Sequence, residues 1–118
     1  LRKAVTKKKF HDLRKYWPNL TLKEAAAERQ KIFDRQEGKC AICLKPESHF
    51  SKKLAVDHRH SDGLVRGLLC FRDNKFLVGR FTLKTILPVV AYLVQHEMKG
   101  ELCQIYGEML KAMKEDIK

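Results

Sequence analysis

Three cysteines constrain this chain more than any other feature. Cys40-Ala-Ile-Cys43 is a C-x-x-C knuckle, and Cys70 follows inside Gly67-Leu-Leu-Cys70-Phe-Arg-Asp73-Asn74. A C-x-x-C turn presents both thiolates to one ion, and a residue three positions beyond Cys70 on a helix faces the same way as Cys70. That residue is Asp73 rather than a cysteine. A carboxylate oxygen reaches zinc at about the same distance as an imidazole nitrogen, so Cys40, Cys43, Cys70 and Asp73 form an admissible structural zinc site. His49, His60 or a water are the alternatives for the fourth position. Cys103, the remaining cysteine, falls in a late apolar stripe and reads as a buried thiol. Cysteines so spaced are metal ligands of a reducing cytoplasm, not a secreted disulfide framework.

Between the two half-sites lies Val56-Asp57-His58-Arg59-His60. Leu54-Ala55-Val56 reads as a strand, Ser61-Asp62-Gly63 as a turn and residues 64–69 as the returning strand of a β-hairpin. Residues 70–77 can be helical, which sets Cys70, Asp73 and Asn74 at i, i+3 and i+4. Asp57 and Asn74 are oxygen donors of the kind a magnesium-type ion takes. His58 is the natural general base, and His60 shares its face in extended backbone. Asp57 and His58 point to opposite faces of a regular strand, so both reach one phosphate only if the strand ends there and bends. Taken one at a time, these residues have plainer readings: Asp57 and Asn74 as turn caps, the histidines as surface groups. The ordered set is what points to hydrolysis of a phosphodiester.

Charge points to the same partner. Against 14 Asp+Glu stand 25 Lys+Arg, a net charge of +11, and such an excess attracts polyanions, nucleic acid above all. Lys39, Arg59, Arg66, Arg72 and Lys75 surround the cluster and are the candidate DNA contacts, with Lys45, Lys52 and Lys53 nearby. No helix with base-reading Arg, Asn or Gln side chains is evident, so strong sequence specificity is not expected.

The rest of the chain frames this core. Residues 1–20 form a basic arm or solvated helix with Val5, Phe10, Leu13, Tyr16 and Trp17 on one stripe, broken at Pro18. Thr21-Leu-Lys-Glu24 is a capping box for a helix over 21–38, with Leu22, Ala25, Ala26, Arg29, Ile32 and Phe33 on its apolar face and Gly38 closing it in the left-handed region. A later helix starts near Thr82 or Thr85, tolerating Pro88 in its first turn and burying Leu87, Val90, Ala91 and Val94. After Gly100, the residues Leu102, Ile105, Tyr106, Met109, Leu110 and Met113 form a helical stripe for a core or a dimer surface. At 118 residues the expectation is one α+β, mostly helical domain. No apolar run approaches the roughly 18 residues of a membrane span. Leu1-Arg2-Lys3 leads into more lysine rather than a signal core, so export is not expected.

The runs Cys40-Ala-Ile-Cys43, Val56-Asp57-His58-Arg59-His60 and Gly63-Leu-Val-Arg66-Gly67-Leu-Leu-Cys70-x-x-Asp73-Asn74 resemble the phage recombination endonuclease VII family, over about residues 30–95. The resemblance implies a ββα-metal (HNH, His-Me finger) core over 40–79 with a zinc staple, flanked by the helices at 21–38 and 82–118. It implies Mg2+ or Mn2+ held by Asp57 and Asn74, His58 as general base, His60 at the phosphate, and zinc on Cys40, Cys43 and Cys70. Asp73 departs from the family's fourth cysteine. DNA is the implied substrate, branched in some members, and a homodimer through the C-terminal helices is the implied partner, in a bacterial or phage-infected cell. The competing expectations are a non-catalytic zinc-stapled nucleic-acid-binding module and a packaging accessory that needs a protein partner.

Overall fold

The structure, a computed structural model, describes residues 12–117. Of the basic arm or helix expected over residues 1–20, residues 1–11 lie outside the described residues. The chain divides into two compact units, one ending at Asn74 and one beginning at Lys75, and each is described by itself.

The first unit opens with a 3-10 turn, Leu13–Lys15, capped by Asp12, whose side chain accepts from the Arg14 backbone N–H. Helix α1, Leu22–Arg35, begins at a complete capping box: the Thr21 hydroxyl accepts from the Glu24 N–H and the Glu24 carboxylate accepts from the Thr21 N–H. Two otherwise orphaned donors are thereby satisfied. The helix ends earlier than expected, and the chain leaves it through Glu37 (φ 57°) and Gly38 (φ 71°), both left-handed. A side chain at Gly38 would press on the Phe33 ring at 3.1 Å. The buried face is narrower than the sequence suggested. Ala25 and Ile32 are buried, whereas Leu22 is 52% exposed. Ala26 also faces solvent, and Arg29 and Phe33 are half-buried.

Strands β1, Ala55–His58, and β2, Val65–Leu69, form an antiparallel two-stranded sheet. β1 therefore runs on through Asp57 and His58 instead of ending at Val56. The pairing carries a bulge on β2: Asp57 faces Gly67, His58 faces Val65, and Arg66 is left as the extra residue. The turn between the strands is held by Asp62, which accepts from the Leu64 N–H at 3.1 Å, with Gly63 at φ 80°.

Two strands are marginal alone. Here side-chain hydrogen bonds fasten them to α1 and the knuckle. The Gln36 amide oxygen accepts from the Leu68 N–H (2.9 Å), while its amide nitrogen donates to the carbonyls of Leu68 (3.0 Å) and Lys39 (2.8 Å). The Ala41 N–H donates to the same Leu68 carbonyl at 3.1 Å. On the other side, Arg29 donates to Glu47 (3.1 Å) and to the Leu54 carbonyl (2.8 Å), and Glu47 accepts from the Leu54 N–H (2.9 Å). The buried residues Val56, Leu68 and Leu69 fill the space these anchors define.

After β2 the chain is helical where residues 70–77 were expected to be, and from Asp73 to Val78 it takes the wide π-helical form. The i→i−4 bond from the Asn74 N–H to the Cys70 carbonyl is nevertheless made, at 2.9 Å. π turns cost hydrogen-bond quality and occur where a side chain must be re-aimed.

The second unit is a helical hairpin. Helix α2, Leu83–Glu97, is capped at Thr82, whose hydroxyl accepts from the Thr85 N–H while the Thr85 hydroxyl accepts from the Thr82 N–H. Because the cap fixes the start at Leu83, Pro88 falls in the second turn, not the first, and the Lys84 carbonyl loses its i+4 donor. Lys84 is exposed, so water can replace that bond. Leu87 is buried, and Val90, Ala91 and Val94 are half-buried. Gly100, at φ 65°, opens α3, Gly100–Asp116. Of its apolar stripe only Leu110 is buried; Leu102 is 56% and Met109 49% exposed. Cys103 is half-buried, its thiol 3.5 Å from the Val94 carbonyl. No helix among the described residues is long and apolar enough to cross a membrane.

Candidate functional site

The knuckle is built by backbone. Cys40 N–H donates to the Lys45 carbonyl (3.0 Å), Leu44 N–H returns to the Cys40 carbonyl (3.0 Å), and Leu44 takes the left-handed conformation at φ 64°. This tight ribbon throws Cys40 and Cys43 to one side. Cys70 arrives from the end of β2 and Asp73 from the first residue of the π turn. The ligand atoms of Cys40, Cys43, Cys70 and Asp73 all lie within 4.8 Å of one another. Thiolates about 2.3 Å from a tetrahedral zinc stand roughly 3.8 Å apart, so the cluster needs only a small contraction to close on an ion. Asp73 is the fourth member of the cluster, and neither His49 nor His60 belongs to it.

Electrostatics support the odd ligand. Asp73 has no exposed surface, and a buried carboxylate must be compensated. The Cys40 thiol lies 3.3 Å from its Oδ2 and Arg72 lies 3.5 Å from its Oδ1. Burial pushes the Asp73 carboxyl up, but the hydrogen bonds from Cys40, Cys70 and Cys43 and the charge of Arg72 bring it below its ordinary value. Burial likewise pushes the Cys40 thiol up, and the N–H groups of Cys70, Cys43 and Ile42 outweigh it, lowering the thiol. The Cys70 N–H is 3.3 Å from the Cys40 sulfur. Cys70 itself is pushed up to about 12, by burial first and by its acidic neighbours after that. A carboxylate carries the same formal charge as the thiolate it replaces, so Cys3Asp leaves the charge balance of a four-cysteine site unchanged. The cluster can hold a metal such as zinc.

The residues expected to act on DNA lie on the hairpin and beside that cluster. Asp57 is 7% exposed, and Arg66 grips it with two bonds, Nε to Oδ2 at 2.7 Å and Nη2 to Oδ1 at 3.0 Å. His58 is half-buried, its ring 5.3 Å from that of Tyr16 and 4.9 Å from that of His60. The expectation that His58 and His60 share a face is met, although His60 lies beyond the strand. Asn74 is half-buried and follows the metal-cluster residue Asp73 directly.

The candidate DNA contacts are engaged locally. Arg59 pairs with Asp62 at 2.5 Å, and its hydrogen bonds hold that carboxyl well below the usual carboxylate range. Lys39 lies 3.7 Å from Glu37 and Arg72 pairs with Asp73, while Lys75 is exposed at the start of the second unit. Apart from the Arg66 and Arg72 bonds, these pairs lie at the surface, where such bonds exchange readily.

Two contributors were not picked out from sequence. Tyr16 was grouped with a basic arm, and only the fold sets its ring against His58. Gln36 carries no motif, yet it ties α1, the knuckle and β2 together. Its one sequence signal was position, just before a helix-closing glycine and the first cysteine.

Comparison with known proteins matches the chain to a family. The gene 59 protein of Mycobacterium phage D29 is 34% identical over 93 residues, covering 77% of this chain and 53% of its own length. Its counterpart in Mycobacterium phage L5 is 33% identical over 91 residues, covering 75% and 52%. The chain therefore spans about half the length of the curated relatives it matches. No solved structure gives a significant match. The family model for recombination endonuclease VII matches residues 13–95, taking in the first turn, α1, the knuckle, the hairpin and most of α2, and the chain belongs to that family.

Proposed function

We propose that this chain is a divalent-metal-dependent DNA endonuclease with a ββα-metal (HNH) core, acting in phage recombination on duplex or branched DNA. The observation that carries the reading is the pairing of a buried carboxylate, Asp57, with an adjacent imidazole, His58, on a strand fastened to a metal-binding cluster. The bulge beside them lies on β2 and carries Arg66, whose guanidinium reaches across to Asp57.

Asp57 and Asn74 are oxygen donors suited to Mg2+ or Mn2+, which when bound would supply positive charge for the phosphoryl and leaving oxygens. His58 accepts the proton of the attacking water, with the Tyr16 and His60 rings in contact with its own. His60 is exposed and directed to the phosphate. Lys39, Arg59, Arg66, Arg72 and Lys75 exchange local partners for the DNA backbone. The Cys40, Cys43, Cys70 and Asp73 cluster holds zinc as a staple with no part in the reaction. The exposed stripe of α3 serves a homodimer.

A second reading, a non-catalytic zinc-stapled nucleic-acid-binding module, is favoured by one observation: Asp57 is already satisfied by Arg66. The two readings part on supercoiled plasmid. The endonuclease nicks or linearises it with Mg2+ or Mn2+, EDTA stops the cutting, and His58→Ala lowers the rate by about 10²–10⁴-fold with DNA binding intact. Zinc-loaded protein that binds plasmid, and never cuts it with either ion, would leave only the binding module. A four-way junction and a linear duplex run alongside identify the preferred substrate.

A further inference from the structure

Arg66 occupies a peculiar place. It is the unpaired residue of the bulge, and a bulge re-aims the side chain it carries. Its guanidinium takes both oxygens of Asp57 in the bidentate geometry of a strong charge-assisted pair. The two partners differ in exposure: the Asp57 side chain is 10% exposed and that of Arg66 45%. The acid is confined; the base stands at the surface on a long, rotatable stem.

We propose that Arg66 is a positioning counter-ion that Asp57 yields when the catalytic cation binds, and that a DNA phosphate then receives the released guanidinium. The inference rests on the endonuclease reading, in which Asp57 is a cation ligand. A divalent cation and a guanidinium repel each other and draw on the same pair of oxygens, so each weakens the other's hold on Asp57. The guanidinium fork fits phosphate as well as carboxylate, so DNA offers Arg66 an equivalent partner. Without DNA the pair opposes cation loading; with DNA the opposition is removed. Cation and DNA consequently bind with positive coupling that passes through Arg66, and the coupling is the same read from either ligand. The device would withhold the cation until a backbone is in place. In the absence of DNA, Arg66 keeps Asp57 aimed and compensated, which a carboxylate so little exposed requires.

The test uses the full zinc-loaded chain carrying His58→Ala, so that DNA stays intact, with Mn2+ binding read by electron paramagnetic resonance. Duplex DNA should tighten Mn2+ binding by about tenfold, within the usual range of such couplings, and Mn2+ should tighten DNA binding by the same factor. Arg66→Ala and Arg66→Gln, the latter keeping a polar side chain in the bulge, should bind Mn2+ more tightly than the parent without DNA and lose most of the coupling. Variants that bind Mn2+ no better without DNA, or that keep the full coupling, overturn the proposal. Asp57→Asn separates the two levels. If it abolishes Mn2+ binding while the Arg66 variants behave like the parent, the endonuclease reading stands and the Arg66 inference falls. If it leaves Mn2+ binding intact, both fall. The Arg66 Nε–H resonance gives a measurement free of Arg66 variants: it should shift on addition of Mg2+ and duplex, and a resonance that does not move overturns the proposal even where the variants do not fold.

Discussion

At the scale of single residues, Asp73 and Gln36 do the most for the site. In the cluster Asp73 offers the charge of a fourth thiolate on a harder donor atom, carried one bond farther from Cβ. Asp73→Cys should therefore retain zinc and hold it at least as tightly, since thiolate is the softer ligand, whereas Asp73→Ala should release it to mild chelators. Metal content after dialysis against EDTA checks both, and full zinc occupancy in Asp73→Ala would remove Asp73 from the ligand set. Gln36 makes three hydrogen bonds, two of them to the buried residue Leu68. Gln36→Leu strands the Leu68 N–H at a cost of about 1–3 kcal/mol, read as a lowered thermal midpoint of the zinc-loaded protein. A methyl group at Gly67 would meet the Gln36 amide oxygen at 2.9 Å. Gly67→Ala should accordingly cost less in a Gln36→Ala background than alone, and equal costs in the two backgrounds would show that the contact is not what requires glycine there.

At the scale of elements, the hairpin and the knuckle depend on each other. A two-stranded sheet with three buried aliphatic residues cannot sustain itself, and the knuckle has no core of its own beyond Cys40. Metal binding should supply much of the missing stability, as it does in small zinc domains. The sign of its pH dependence follows from Cys70. With the thiol pushed up to about 12, Cys70 is protonated at neutral pH until a metal displaces the proton. Zinc affinity should hence climb by about tenfold or more per pH unit between pH 6 and 8, because raising the pH removes the competing proton. Competition against a chelator whose own pH dependence is known measures the slope, and a flat profile would exclude a thiol proton as the competitor.

At the scale of the whole molecule, a net charge of +11 and an exposed apolar helix face have separate consequences. The charge makes DNA binding salt-dependent, with log K falling against log salt by about 0.9 per phosphate contacted on duplex. A slope near zero would mean that the basic side chains do not meet the backbone. The face of α3 presents Leu102, Ile105 and Met109, each about half exposed. If a second copy covers it, Ile105→Asp should shift sedimentation from dimer to monomer; a wild-type chain that sediments as a monomer at high concentration would remove the homodimer.

Legible in the sequence were the spacing of the metal ligands, the capping box at Thr21 and Glu24, the glycine exits and the order of hairpin and cluster. These rest on local chemistry: a C-x-x-C turn, a hydroxyl within reach of an N–H, a left-handed glycine. Tertiary structure alone decided that Arg66 sits in a bulge and holds Asp57, that Gln36 pins β2, that Tyr16 packs against His58, and that the turn at Asp73 is π rather than α. Each of those depends on groups far apart in the chain, or on a register shift of one residue, and periodicity in a sequence carries no information about either. The apolar stripe of α3 was legible as a stripe. Whether it is buried depends on what packs against it, and two helices of a hairpin have too little surface to cover it all.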